Sequence, residues 1–406
     1  MNKSTASFSK KTIRDVDVHG KTILLRADFN VPIDESGKIT SDYRIAQTVP
    51  TIEYLLTRNC KVVIISHLGR PGGEPDASCS LSVAAQRLHE LLPKVNIAFA
   101  KDCINDSAQL TVKKAKNGEV VILENLRFHT EEEANDPDFA VRLKQASGAD
   151  YFVQDGFGVV HRPHASTEAI THVLPSVAGL LLEKEVTVLG KAMKQPQHPV
   201  VAVVGGAKIS DKIGFIERLL DIADTILIGG AMANTFFKYD DKAIGKSLYE
   251  DDQDRQIATI LQKAKPNQLI LPTDVGVATE IAKSSQRRDC TFTDITPDDY
   301  ILDIGFETMR EFSKHIKRAS TVIWNGTLGY AELSQFAQGS SVMAEAISQE
   351  HGAVSIVGGG DTADFVLSWL YEHKSSQFTH ISTGGGASLE LMSGLKLPGV
   401  EALLNS

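Results

Sequence analysis

Short apolar, β-branched runs alternate with stretches of helical period along the whole chain, the pattern of βα units laid on a parallel sheet. In the first half such runs begin at Ile23, Val62, Val120 and Tyr151. Each ends beside an Arg or His: Arg26, then His67 and Arg70, then Arg127, then His161-Arg162. In the second half the predicted strands are Val200–Val204, Thr225–Ile228, Leu269–Leu271, Thr321–Trp324, Val354–Val357 and Ile381–Ser382. Most run into glycine: Gly205-Gly206-Ala207-Lys208, Gly229-Gly230-Ala231, Gly358-Gly359-Gly360-Asp361 and Gly384-Gly385-Gly386-Ala387. Between the halves the periodicity predicts a helix from Val177 to Met193, ended by a loop with Pro196 and Pro199, a natural domain boundary.

These strand ends give the pattern its chemistry. In an open α/β sheet, ligands bind outside the carboxyl ends of the strands. The chain carries a formal net charge of −9, so cations gathered at one sheet edge imply a small, highly anionic substrate rather than the broad basic surface that nucleic acid needs. Glycine loops between strand and helix let backbone N–H groups approach a phosphate. Several such loops together, with Lys208 and Lys212 at the i, i+4 spacing of one helix face, point to a nucleotide. Asp361 in its glycine loop can hold the Mg²⁺ that accompanies nucleotide phosphates, or simply cap a helix.

Familiar nucleotide motifs are absent. Gly20-Lys21-Thr22 and Gly245-Lys246-Ser247 lack the first glycine of a P-loop, and no GxGxxG follows the first strand of either half. His161 and His164, with His67 and His129, invite a metal reading, but no neighbouring Cys or carboxylate completes a set at zinc spacing, and anion contacts are the better expectation. Glu131-Glu132-Glu133 reads as a solvated face, and Trp324 as core packing. Four cysteines without regular spacing read as reduced thiols. Met1 to Thr12 is polar without the apolar run of a signal peptide, and no apolar stretch is long enough to span a bilayer, so a cytoplasmic protein is expected.

The motifs taken together resemble phosphoglycerate kinases over nearly the whole chain. The resemblance is carried by Arg26-Ala27-Asp28-Phe29-Asn30-Val31-Pro32, Ser66-His67-Leu68-Gly69-Arg70-Pro71, Glu124-Asn125-Leu126-Arg127-Phe128 and Asp155-Gly156-Phe157-Gly158 with His161-Arg162. In the second half it is carried by Gly205 to Lys212, Trp324-Asn325-Gly326, Gly358 to Thr362 and Ser382 to Glu390. It implies two doubly wound, Rossmann-like parallel-sheet domains joined by a hinge helix around a central cleft. The implied divisions are 1–178 for the acyl phosphate and 3-phosphoglycerate, 179–193 as linker helix, 194–388 for the nucleotide, and 389–406 returning to the first domain. The implied reaction is reversible phosphoryl transfer from 1,3-bisphosphoglycerate to ADP with Mg²⁺, by a monomer with no nucleic-acid or membrane partner.

Carried over by position, Asp28 and Asn30 contact the glycerate, and His67, Arg70, Arg127 and Arg162, with His161 beside them, hold the non-transferring phosphate. Arg44 reaches the transferring phosphoryl with Lys208 opposite, and the helix at Gly384, Gly385 and Gly386 points its N-terminus there. Lys212, Gly359, Gly360 and Thr362 cradle the nucleotide phosphates, with Gly229, Gly230 and Asn325 in the same pocket. Asp361 holds Mg²⁺ and Glu332 bonds the ribose. The chain departs from the family pattern at Thr327 and Ala331, where Pro and Phe are common, at Phe306, where Pro is common, and at Gly156, where Ala is frequent. The first three are expected to alter the nucleotide pocket. A non-catalytic protein that kept the fold, or a kinase for another acyl phosphate, are the competing readings; the presence of Arg44, Lys208 and Asp361 opposes the first, and the Asp28, Asn30 and arginine set opposes the second.

Overall fold

The computed structural model describes residues 8–406 except 351 and 375; the start of the polar N-terminal segment lies outside the described residues. The chain divides into two compact units. One comprises the described residues up to Thr187 together with Lys396–Ser406, and the other Val188–Leu395.

The first unit is built on β1 (Thr22–Arg26), β2 (Lys61–Ile65), β3 (Ile97–Ala100), β4 (Val120–Leu123), β5 (Tyr151–Gln154) and β6 (Ser176–Ala178). They form one parallel sheet in the order β3-β4-β2-β1-β5-β6. The strands are apolar at nearly every position because side chains alternate between two covered faces. Leu25, Val62, Ile64 and Ile122 pack with Ile45, Ile52 and Leu55 of helix Tyr43–Leu56 on one face. Leu24, Val63, Ile65 and Phe152 pack with Phe139, Ala140 and Leu143 of helix Pro137–Ser147 on the other.

The second unit holds β7 (Val200–Val204), β8 (Thr225–Ile228), β9 (Leu269–Ile270), β10 (Val275–Ala278), β11 (Arg288–Cys290), β12 (Tyr300–Ile304), β13 (Thr321–Asn325), β14 (Val354–Gly358) and β15 (His380–Ile381). Six form a parallel sheet in the order β15-β14-β13-β7-β8-β9, and three form an antiparallel sheet, β11-β10-β12. The chain is therefore α/β with two parallel-sheet domains.

Several expectations are corrected. Val177 belongs to β6, not to the helix, which runs from Leu180 to Lys194. Strand and helix are separated by Gly179, where an added Cβ would strike the Asp155 carboxylate at 2.1 Å. That carboxylate accepts the Leu181 and Leu182 amides at 2.9 and 3.2 Å and so starts the helix. The division between units falls inside this helix, not at either of its ends. Its start is tied to Asp155 and to Thr51, whose hydroxyl accepts from Leu180 N, whereas near its end Met193 O accepts from Arg218. The C-terminal return begins at Lys396 rather than at residue 389. It is fastened by Gly399 N to Val160 O at 2.9 Å, Leu404 N to Ser176 O at 3.0 Å and Lys10 Nζ to Glu401 O at 2.7 Å. All four cysteines are free thiols, and no helix among the described residues is long and apolar enough to cross a membrane.

Candidate active site

In the first unit, β1 delivers Arg26 into the interior, where it is 1% exposed. Its Nε donates to Ser166 Oγ at 2.8 Å, and Ser166 donates onward to Glu132 Oε1 at 2.5 Å. Glu132 is completely buried, also accepts the Ser166 amide at 3.0 Å, and its negative charge acts on Arg26. The acidic run is thus not a solvated face. Glu132 is the interior counter-charge of the arginine cluster, while the exposed Glu133 pairs with Arg127 Nε at 3.1 Å. No local sequence signal marks Glu132, because its partner is distant in the chain.

The loop after β1 places Asp28 3.9 Å from Arg44 Nη1 and 4.0 Å from His67 Nδ1. Asn30 Oδ1 accepts Gly69 N at 2.9 Å, its carbonyl accepts from Arg44, and Arg127 Nη1 donates to Gly69 O at 2.9 Å. Arg26 Nη2 lies 3.2 Å from His67 Nδ1. Arg162 Nε donates to His161 Nε2 at 3.2 Å, and the charges of Arg162 and Arg70 both bear on Arg127. The substrate residues expected in this unit (Asp28, Asn30, Arg44, His67, Arg70, Arg127, His161 and Arg162) are therefore gathered at one sheet edge. Arg26, His164 and Glu132 join them.

Charge in this cluster differs from the expectation of mixed Arg and His cations. Burial, then the neighbouring guanidinium groups of Arg26, Arg127 and Arg44, hold His67 well below the ordinary imidazole range. His164 is pushed down to about 4 by burial and Arg26, and His161 is lowered by burial and Arg162. The imidazoles are neutral at pH 7, so the positive charge belongs to arginine.

In the second unit the strand order reverses between β7 and β13, the switch point at which open α/β sheets bind ligands. Gly206 N donates to Thr327 O at 2.8 Å and Gly230 N to Leu328 O at 3.0 Å, which draws the loops after β7, β8 and β13 together. Gly230 has φ +65°, and a Cβ there would stand 2.5 Å from Gly206 N, so only glycine allows this approach. Beside these loops lies a cavity of about 450 Å³ bordered by Gly206, Gly230, Thr327, Glu332 and Asp361.

Lys212 Nζ donates to Asn325 O at 3.1 Å and also to Asn325 Oδ1; burial pulls its pKa down to about 8 against the charges of Asp361 and Asp211. Lys208 and Lys212 do not share a helix face. A tight turn, Ser210–Lys212, precedes helix Ile213–Ile222, and it leaves Lys208 exposed on the preceding loop. Gly359 caps helix Gly360–Glu372, with Asp361 in its first turn and Thr362 Oγ1 accepting Gly326 N at 2.6 Å. Helix Gly385–Met392 starts at Gly384 next to it: a Cβ on Gly385 would lie 3.1 Å from Gly360 N. Two helix N-termini thus adjoin near the same sheet edge. Of the expected nucleotide residues, Gly230, Glu332 and Asp361 border the cavity. Asn325 does not border it but is buried and holds Lys212, and Gly229 packs against Leu328.

The family model described as Phosphoglycerate kinase matches residues 13–395. The chain belongs to the phosphoglycerate kinase family. It is 46% identical over 400 residues to the phosphoglycerate kinase of Pelotomaculum thermopropionicum, covering 98% of this chain and all of that one. It is 47% identical over 401 residues to that of Chloroflexus aggregans, covering 98% and 99%. Among solved structures it resembles the phosphoglycerate kinase of Coxiella burnetii with a TM-score of 0.81 at 35% identity, and that of Pyrococcus horikoshii OT3 with 0.84 at 31%; each match covers 97% of this chain and 98% of the other. Family membership makes the protein an ATP-binding kinase, a transferase of glycolysis that acts on small molecules.

Of the positions that depart from the family pattern, Thr327 borders the cavity, whereas Phe306 is exposed with Arg287 over its ring at 5.2 Å. Gly156 packs on the end of β1, where a Cβ would come within 3.1 Å of the Ala27 carbonyl carbon. The cavity's apolar wall was missed in the sequence. Val275, Tyr300, Leu302 and Ile304 come from the antiparallel sheet, with Phe237 and Leu328 beside them. The run Tyr300-Ile301-Leu302 is the one signal that could have found it.

Proposed function

We propose that the protein transfers the acyl phosphate of 1,3-bisphosphoglycerate reversibly to Mg-ADP, and that it works as a cytoplasmic monomer. The observation that carries this reading is the arginine cluster around Asp28, Asn30 and neutral His67 at the carboxyl edge of the first sheet. Arginine forks suit phosphate and carboxylate oxygens, and 3-phosphoglycerate offers both. Asp28, which faces Arg44, and Asn30, bonded to Arg44 and Gly69, are the polar groups for its hydroxyl and carboxyl ends. Arg127, Arg70, Arg162 and His161 take the phosphate that stays.

The acceptor in the ATP-consuming direction is already a carboxylate, so no general base is required. The protein has to position the reactants and neutralise charge on the phosphoryl in flight. Arg44 serves that role in the first unit. In the second, Lys208, on its exposed loop, and the helix starting at Gly384 and Gly385 serve it. Lys212, Gly359, Gly360 and Thr362 form the phosphate cradle beside Asn325. Glu332, on the cavity wall with Gly230, takes the ribose, and Gly229 packs against Leu328 behind that wall.

Asp361 fits Mg²⁺: it is one exposed carboxylate at a helix start on the cavity wall, and Mg²⁺ bound with substrate phosphates takes one or two carboxylates. The metal would supply charge neutralisation on the nucleotide phosphates. Phosphorus NMR of MgATP with 3-phosphoglycerate and enzyme tests the reading. An acyl-phosphate resonance that appears with the protein and fails to appear with Lys208→Ala is expected; its absence with folded wild-type protein refutes the reading.

A further inference from the structure

Phosphoryl transfer makes no use of a cluster at the outer end of the first sheet. Strand β3 ends at Ala100 and hands Lys101, Asp102 and Cys103 to the carboxyl edge; the turn after β4 brings His129 to the same spot. One ligand atom from each of Asp102, Cys103 and His129 lies within 4.8 Å of the other two. Along the chain no Cys or carboxylate completes a set with His129 at zinc spacing; the βα topology brings Asp102 and Cys103 to it.

Each group is oriented. Asp102 Oδ1 accepts the Ile104 and Asn105 amides at 2.8 and 3.0 Å, which fixes the carboxylate and leaves Oδ2 3.6 Å from His129 Nε2. The imidazole is tilted against Phe139 with ring centroids 5.4 Å apart. Cys103 is a free thiol, wholly buried at the back of the cluster. In front, Asp102 and His129 border a cavity of about 480 Å³ that also reaches Lys101 and Ser80. Glu124 is on the same wall, but its oxygens are taken by Leu81 N, Asn125 N and Ser80 Oγ.

We propose that Asp102 Oδ2, Cys103 Sγ and His129 Nε2 form a three-ligand site for Zn²⁺, with its fourth position open to the cavity. Imidazole, thiolate and carboxylate are zinc donors, and three protein ligands plus one exchangeable ligand is an open zinc site. Mg²⁺ and Ca²⁺ take oxygen ligands and are poorly served by sulfur and nitrogen. Loading forms a Zn–S bond and breaks the S–H bond, with the proton released to solvent; His129 binds as neutral imidazole. The site is separate from the reading of the arginine cluster and stands whether or not that reading does.

The test is titration of the chelator-treated full-length protein with Zn²⁺ against a chromophoric chelator, and with Co²⁺ as a spectroscopic probe. Expected are one equivalent of metal and a thiolate-to-Co²⁺ charge-transfer band that Cys103→Ser abolishes. Because Cys103→Ser can unsettle the core, His129→Gln, at a partly exposed side chain, is the second variant; it should weaken Zn²⁺ binding about tenfold or more. No bound equivalent, or binding unchanged in both folded variants without a thiolate band, overturns the proposal.

Discussion

His67 lies within 3.2 Å of Arg26 and in the field of Arg44 and Arg127, and burial with these cations keeps its imidazole unprotonated. An ordinary imidazole titrates near about 6.5. As pH falls through that value, the unfolded chain takes up protons at His67, His161 and His164 while the folded protein does not. Stability is therefore lost on acidification below about 6.5, and these groups contribute no pH dependence well above it. Proton NMR should find the His67 ring still neutral at about pH 6; titration of His67 near its ordinary value contradicts this. Glu132 gives a second prediction. Glu132→Ala leaves Arg26 buried without its counter-charge and should cost about 3–5 kcal/mol, whereas Glu132→Gln keeps an acceptor for Ser166 and should cost less. Urea unfolding of both variants checks the order.

Among the elements, the helix starting at Leu180 rests on one carboxylate, Asp155, which burial raises to about 7. Asp155→Asn retains the capping oxygen and drops the buried charge, so it should be near neutral; Asp155→Ala should cost about 1 kcal/mol or more in thermal unfolding. The loops at the switch point depend on Gly230. Gly230→Ala must strain a positive φ and push on Gly206, so it should lower both stability and nucleotide affinity, read by melting temperature with and without MgADP.

How far the elements could be read from the chain follows from how they are buried. Val200–Val204 and Thr225–Ile228 have the observed bounds because a strand covered on both faces is an unbroken apolar run. Strands β3 and β11 are not legible because they are short and partly exposed, as in Arg288-Asp289-Cys290, while the buried β10 is four residues broken by Gly276 and β12 is broken by Asp303. The cations at the strand ends were legible, since topology alone sends them to one edge. The neutrality of His67, the burial of Glu132 and the meeting of Cys103 with His129 were not, because each is set by residues far off in sequence.

For the molecule as a whole, a net charge of −9 surrounds an arginine cluster confined to one unit, so ligand binding has a unit-specific signature. Both tryptophans, Trp324 and Trp369, belong to the second unit. At about 100 times Kd, 3-phosphoglycerate should stabilise its site by about 2.7 kcal/mol. The amide circular-dichroism transition should then rise more than the tryptophan-fluorescence transition; a larger rise in fluorescence would place the substrate site in the wrong unit.

Binding of 3-phosphoglycerate by the arginine cluster for phosphoryl transfer is read from turnover of MgATP with 3-phosphoglycerate, coupled to NADH oxidation, in wild type and Arg44→Ala. Robust wild-type turnover that falls about 10²-fold or more in a folded Arg44→Ala protein is predicted. No turnover by folded wild type, or equal turnover by the variant, would mean that the arginine cluster does not serve phosphoryl transfer.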